Sequence, residues 1–416
     1  MYLRRDQMFN CFCCVLLLFV NMGVLSSAFS AYFPYIRELK GFSNTQVYLL
    51  TTMRQIFAMI VMTRSDTFYR KLDIKKGVIL TFLLSALSFA ILAFAPDTRL
   101  YFLATSIFGI SYGLGGMIPA SILLRRWFPQ NSGTAIGIAA AGSGIAAMVI
   151  PQQVTRLVEG YGLSAAFAFQ AATILVLTIP LVLFVKNYPD PGGEIPVPEA
   201  KQNKSVRKAD PDSKAAGGSS GAVFRPAEHP KLIVGMILMG LLSYQSPAGF
   251  SMLFSTSGYE MDKVAFLLSS MGFFLIFGKI LVGKFADRCG GKRMFRDCTL
   301  LVSAVLFLFS RAASLPYAAL VVLMLFFAVG ISESTVGVSV IAGDFAPSGT
   351  YAQALKSCQF FYALGGLLFS TTNGVVADLT GSYAPAYMLY GAAALVLLAV
   401  LLPGYPEKKP AAERAS

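Results

Sequence analysis

Three ionisable side chains stand inside otherwise apolar runs. They are Lys279 in MGFFLIFGKILVGKF, Arg54 in LLTTMRQIFAM and Glu333 in FAVGISESTVGV. A charge facing lipid costs at least ~2.5 kcal/mol, so each must face protein, water or a membrane interface. Lys279 has two open placements. Its ammonium can face an internal cavity, giving an anion a partner where little water competes, or it can snorkel to the near interface. Arg54 has no acid on its own helix and is a second candidate anion-attracting charge. Glu333 lies at a depth similar to Lys279. It is either a proton carrier or a structural counter-ion, and pairing with Lys279 is one expectation.

Polar aromatic and amide groups accompany these charges inside the apolar runs: Tyr32, Tyr112, Tyr244 and Gln245. Pro247 follows the Tyr244-Gln245 pair and removes a backbone donor, which kinks a helix and often opens a cavity wall. All four residues are candidates for lining and orienting a bound solute. Enzyme chemistry has no support. The single His229 lies in a polar segment, and no nucleophile–base pair occurs. Cys11, Cys13, Cys14, Cys289, Cys298 and Cys358 show no metal spacing, so neither a metal nor a cofactor is expected.

The surrounding elements must hold these residues in a bilayer. Of the 416 residues 56% are hydrophobic and 13% charged, against about 25% charged in a soluble domain. The apolar residues run continuously, which reads as an all-α polytopic membrane protein. Twelve spans are expected: Phe9–Tyr35, Thr45–Thr67, Gly77–Ala95, Leu100–Leu124, Gly133–Val158, Ser164–Val185, Leu232–Phe254, Lys263–Phe285, Thr299–Ala313, Pro316–Gly343, Gln353–Ala377 and Ala384–Leu402. The first run exceeds the usual ~7–15 residue core of a signal peptide and is read as an uncleaved helix.

Residues 187–231, rich in Pro, Gly, Ser and Lys, read as a disordered cytoplasmic linker between bundles 1–186 and 232–402, with a tail at 403–416. The net charge of +13 falls mainly on one side of the spans. The other side holds only Arg37, Lys40, Arg99, Arg156, Lys263 and Arg311. This asymmetry places both termini in the cytoplasm and accounts for the charge as a topology signal, without nucleic acid.

The two bundles repeat. Lys75 corresponds to Lys292, Gly133 to Gly349 and Glu159 to Asp378, at a nearly constant separation. Two parallel halves about an axis along the membrane normal imply a site between them near the midplane.

The loop after the eighth span carries Gly283, Asp287, Arg288, Gly290, Lys292 and Arg293 as G-x-x-x-D-R-x-G-x-K/R. On this motif and the repeat, nearly the whole chain resembles the major facilitator superfamily. The first-half copy of the loop is degenerate, with Arg70 where Asp287 would map. The stretch RRWFPQNSGTAIGIAAAGSGIAA, Arg125 to Ala147, resembles the monocarboxylate porter and oxalate–formate antiporter branch. That branch places a cation, usually arginine, where Lys279 stands.

The resemblance implies two pseudo-symmetric six-helix bundles and a secondary active transporter of a small organic anion, a monocarboxylate or short dicarboxylate. It would work by alternating access in the lipid bilayer of the plasma membrane, as a monomer. Protons or a counter-anion would be its coupling partner, through symport or exchange. Substrate binding is assigned to Lys279, Arg54, Tyr244, Gln245, Tyr112 and Tyr32, proton coupling to Glu333, and a conformational latch to the Gly283–Arg293 motif. The alternatives are a multidrug or other small-solute exporter of the same superfamily and, from another class, a non-transporting receptor or scaffold.

Overall fold

The structure is a computed structural model. It describes residues 5–62, 64–65, 68–69, 72–128, 132–187, 224–347 and 350–406. Most of the linker, the tail beyond 406, Arg70, Gly349 and the side chain of Asp287 lie outside the described residues.

The described residues hold ten helices long and apolar enough to cross a membrane. They are α1 (Arg5–Lys40), α3 (Ile74–Phe94), α4 (Thr98–Leu124), α5 (Ala135–Tyr161), α6 (Leu163–Phe184), α7 (Pro230–Thr256), α8 (Met261–Ala286), α10 (Tyr317–Phe345), α11 (Gln353–Thr380) and α12 (Ala384–Gly404). Two less apolar helices, α2 (Asn44–Met62) and α9 (Gly291–Phe309), complete a set of twelve. Helix α9 begins eight residues before the span expected at Thr299. Its first turns are basic and amphipathic, so they fold as helix although hydropathy does not mark them. Gly290, with φ 85°, makes the sharp joint between α8 and α9 that other residues rarely adopt.

The halves are built alike. In the first, α1 packs on α5, α2 on α4 and α3 on α6; in the second, α7 packs on α11, α8 on α10 and α9 on α12. Close approach depends on small residues, as expected where lipid supplies no hydrophobic drive between helices. A Cβ on Gly109 of α4 would collide with the Arg54 backbone oxygen of α2. Large apolar side chains such as Val176, Leu183 and Leu379 point outward, where a bilayer can solvate them.

The halves meet through α5 against α8 and α2 against α11, two contacts related by the same internal symmetry. A Cβ on Gly272 would lie 2.8 Å from the Ala147 carbonyl carbon. At the second contact, on the side away from the chain ends, Asp378 caps the start of α2. Its Oδ1 accepts from the Asn44 backbone N–H at 3.2 Å and side-chain amide at 2.7 Å. Its Oδ2 accepts from the Thr45 N–H at 2.9 Å and hydroxyl at 2.6 Å. Tyr383 donates to Asn44 Oδ1 at 2.7 Å, and deeper in, Thr52 and Ser370 hydroxyls lie 2.6 Å apart.

The end of the segment expected as linker is ordered. Phe224 is buried, stacks on His229 with centroids 5.2 Å apart, and donates its N–H to Gln353 Oε1 at 3.1 Å.

Candidate functional site

Helix α1 does not stay α-helical. Phe19–Ser27 is a π-helix and Phe29–Tyr32 a 3-10 turn before the chain resumes as Phe33–Lys40. Such breaks are tolerated at membrane depth where protein or water takes up the freed backbone groups. Here Arg54 Nη1 donates to Leu25 O at 2.6 Å, within the π stretch. In α7, Pro247 interrupts the ladder in the same way. Asn373 Nδ2 donates to Gln245 O at 2.8 Å and Tyr387 to Ser246 O at 2.7 Å, which satisfies carbonyls beside the proline.

These two irregular helices face each other across a cavity of about 250 Å³. Its wall is drawn from α1, α2, α4 and α5 of one half and α7, α8, α10 and α11 of the other. Arg54, Tyr112, Tyr244 and Lys279 all line it. Phe29, Phe33 and Phe327 supply apolar wall, and no carboxylate among the described residues does.

Arg54 is 7% exposed, with its Cζ 5.7 Å from the Tyr112 ring centroid, an arrangement of cation over π face. Its Nε has no partner among the described residues. Lys279 is half-buried and forms no ion pair among the described residues. Two positive groups, one from each half, thus border one mainly apolar space.

The other expected site residues sit elsewhere. Tyr32 is buried in the packing of α1 on α6, stacked on Phe167 at 4.7 Å. Gln245 turns from the cavity and donates to Gly366 O at 2.8 Å, tying α7 to α11. Glu333 is 4% exposed and accepts from Thr299 Oγ1 at 2.8 Å, while its Oε2 has no partner among the described residues. The ion pair expected between Glu333 and Lys279 does not form. Helix α10 turns Glu333 toward α9, and it is the next residue, Ser334, that reaches the cavity.

In the loop motif, Gly283 lies within α8, Arg288 is exposed, and Lys292 and Arg293 start α9 after Gly290. The side chain of Asp287 is outside the described residues.

Among the lining residues without a sequence signal are Ser243, Ser334 and Tyr362. Tyr362 donates to Ser243 Oγ at 2.5 Å, Ser243 and Ser334 hydroxyls lie 2.8 Å apart, and Ser334 donates to Ile331 O at 2.7 Å.

Known proteins resemble this arrangement. Residues 11–370 match the Major Facilitator Superfamily. Monocarboxylate transporter 12 of Mus musculus is 24% identical over 366 residues, covering 80% of this chain and 71% of its own. The multi-drug resistance efflux pump PmrA of Streptococcus pneumoniae is 22% identical over 342 residues, covering 80% and 78%. Among solved structures, a D-xylose-proton symporter aligns with TM-score 0.69 at 15% identity, covering 94% of this chain and 95% of its own. The nucleoside transporter NupG aligns with TM-score 0.70 at 16% identity, covering 95% and 97%.

Proposed function

Given that the chain belongs to the major facilitator superfamily, as a multi-pass membrane transporter and not an enzyme, we propose that it carries a small organic anion, a monocarboxylate or short dicarboxylate. The two halves rock about the central cavity to expose it to each side in turn. The observation that carries this reading is that Arg54 and Lys279 line one cavity with no lining carboxylate among the described residues to neutralise them. In a space with little water, an anionic cargo is the natural counter-charge. The phenyl rings receive its apolar body, and Tyr112 and Tyr244 orient it. The named likeness to monocarboxylate transporter 12 supports the same class of cargo.

Glu333 serves proton coupling in this reading. It is a buried carboxyl with one oxygen unpartnered among the described residues, next in sequence to the cavity-lining Ser334. The basic side faces the cytoplasm of a plasma-membrane protein, and the Gly283–Arg293 loop acts as a latch there. Exchange against a counter-anion is the alternative coupling.

Purified protein in liposomes tests the reading through counterflow of labelled carboxylates. Lys279→Ala that takes up anions as fast as the native chain refutes the role of Lys279. A multidrug exporter is favoured by one observation, the likeness to PmrA. In that case lipophilic cations, and no carboxylate, would be carried.

A further inference from the structure

We infer that the cargo bears a hydrogen-bond donor, a hydroxyl or amine, as well as its negative group, and that Tyr362, Ser243 and Ser334 select for that donor. This deepens the anion reading above and rests on it.

Each hydroxyl has one proton to give and two lone pairs with which to accept. Ser334 gives its proton to Ile331 O at 2.7 Å, an intrahelical bond. The 2.8 Å contact between Ser243 and Ser334 must then use the Ser243 proton. The 2.5 Å contact between Tyr362 and Ser243 in turn uses the Tyr362 proton. These three contacts consume three protons in a single assignment, and the Tyr362 hydroxyl, which also faces Ser334, has only its one proton to share between the two serines. What remains on this strip of the wall is oxygen lone pairs.

Thr51 and Ser143 are committed in the same way, to Tyr48 O at 2.7 Å and Ala140 O at 2.8 Å. The cavity is therefore two-natured. Arg54 and Lys279 offer positive donors, the Tyr112 and Tyr244 hydroxyls neutral ones, and the Tyr362–Ser243–Ser334 strip, drawn from α11, α7 and α10, offers acceptors. A carboxylate against that strip would meet lone pairs and be repelled, so it goes to the cations. An O–H or N–H elsewhere on the same molecule satisfies the strip. An oxo group at that place sets acceptor against acceptor, and a hydrocarbon leaves the strip dry and unpaired.

The test uses sets of carboxylic acids matched in size, unsubstituted, hydroxy and oxo, with methyl and benzyl bodies and with the substituent at carbon 2, 3 or 4. Counterflow into liposomes holding the full-length chain gives the transport efficiency of each. In at least one set the hydroxy acid should exceed both its oxo and unsubstituted partners by about tenfold or more, the size of one well-made hydrogen bond against an unmade one. In Ser243→Ala the strip loses one acceptor and the Tyr362 hydroxyl is left with Ser334 alone, and the hydroxy-over-oxo ratio should fall to about threefold or below.

Tyr362→Phe gives a second reading of the strip, should Ser243→Ala fail to elute as a single species. It removes one acceptor and should also narrow the ratio. Native protein that carries carboxylates with no hydroxy preference in any set overturns this inference and leaves the anion reading standing. The native ratio retained in both variants also overturns it. Failure to carry any carboxylate of the panel refutes the anion reading and the inference together.

Discussion

Replacing Asp378 with alanine should unfasten the two halves on the side away from the chain ends. The carboxylate accepts four hydrogen bonds, two from backbone N–H groups at the start of α2 and two from Asn44 and Thr45 side chains. A net bond is worth ~0.5–1.5 kcal/mol, and a carboxylate at a helix N-terminus adds ~0.3–1. All four bonds are solvent-exposed, where water competes, so a total of about 1–2 kcal/mol is a realistic sum. That shifts the balance between closed and open forms of this face by roughly 5–30-fold. Asp378→Asn keeps one acceptor oxygen and should fall between.

A cysteine placed at Thr51, on the cavity wall of α2, reports the shift. In a background lacking the native cysteines, an impermeant maleimide added from the Asp378 side should label it several-fold faster in Asp378→Ala. Tyr383→Phe removes only the 2.7 Å bond to Asn44 and should give a smaller increase. Labelling within about twofold of the parent, in protein that elutes as one species, refutes the argument that these bonds hold the face closed.

Three further outcomes follow from the packing and the site. Lys279→Gln keeps a polar side chain one atom shorter but removes the charge, and uptake of carboxylates by liposomes should fall by about tenfold or more, the worth of a charge-assisted bond. Glu333→Gln keeps the Thr299 contact, so exchange of anion for anion should persist while uptake driven by a pH gradient disappears; intact gradient-driven uptake removes Glu333 from coupling. Gly109→Val forces a branched side chain against the Arg54 backbone oxygen and should destabilise the first half by ~1–3 kcal/mol, read as a lower midpoint in a detergent melting assay.

Much of the fold was legible because a bilayer punishes disorder in the pattern. Apolar runs near 20 residues had to be spans, and Lys or Arg inside them had to find protein or water. Arg54 and Lys279 both line the cavity for that reason. Helix face was harder to read. Tyr244 and Gln245 are adjacent, and successive residues on a helix point about 100° apart, so the sequence alone does not say which of two neighbours faces the cavity. Tyr244 does, and Gln245 bonds α11 instead. Glu333 and Ser334 split in the same way.

The serines were illegible for another reason. A hydroxyl that can bond a carbonyl one turn back is cheap anywhere in a helix, so Ser243 and Ser334 look like many others. The clasp at Asp378 had a faint signal, since the repeat aligns it with Glu159. Only coordinates could say that it reaches the other half. Glu159 receives instead a bond from Tyr35 at 3.4 Å, so the clasp is not duplicated by its symmetry mate.

The π-helical stretch of α1 gives Arg54 a rival for any cargo. Its guanidinium already spends one N–H on Leu25 O, within that irregular winding. If rocking of the halves rewinds α1, the carbonyl is reclaimed by the helix and the guanidinium is set loose. The grip on a passing carboxylate would then tighten and slacken once per cycle, which is what a carrier needs in order to let go on the far side.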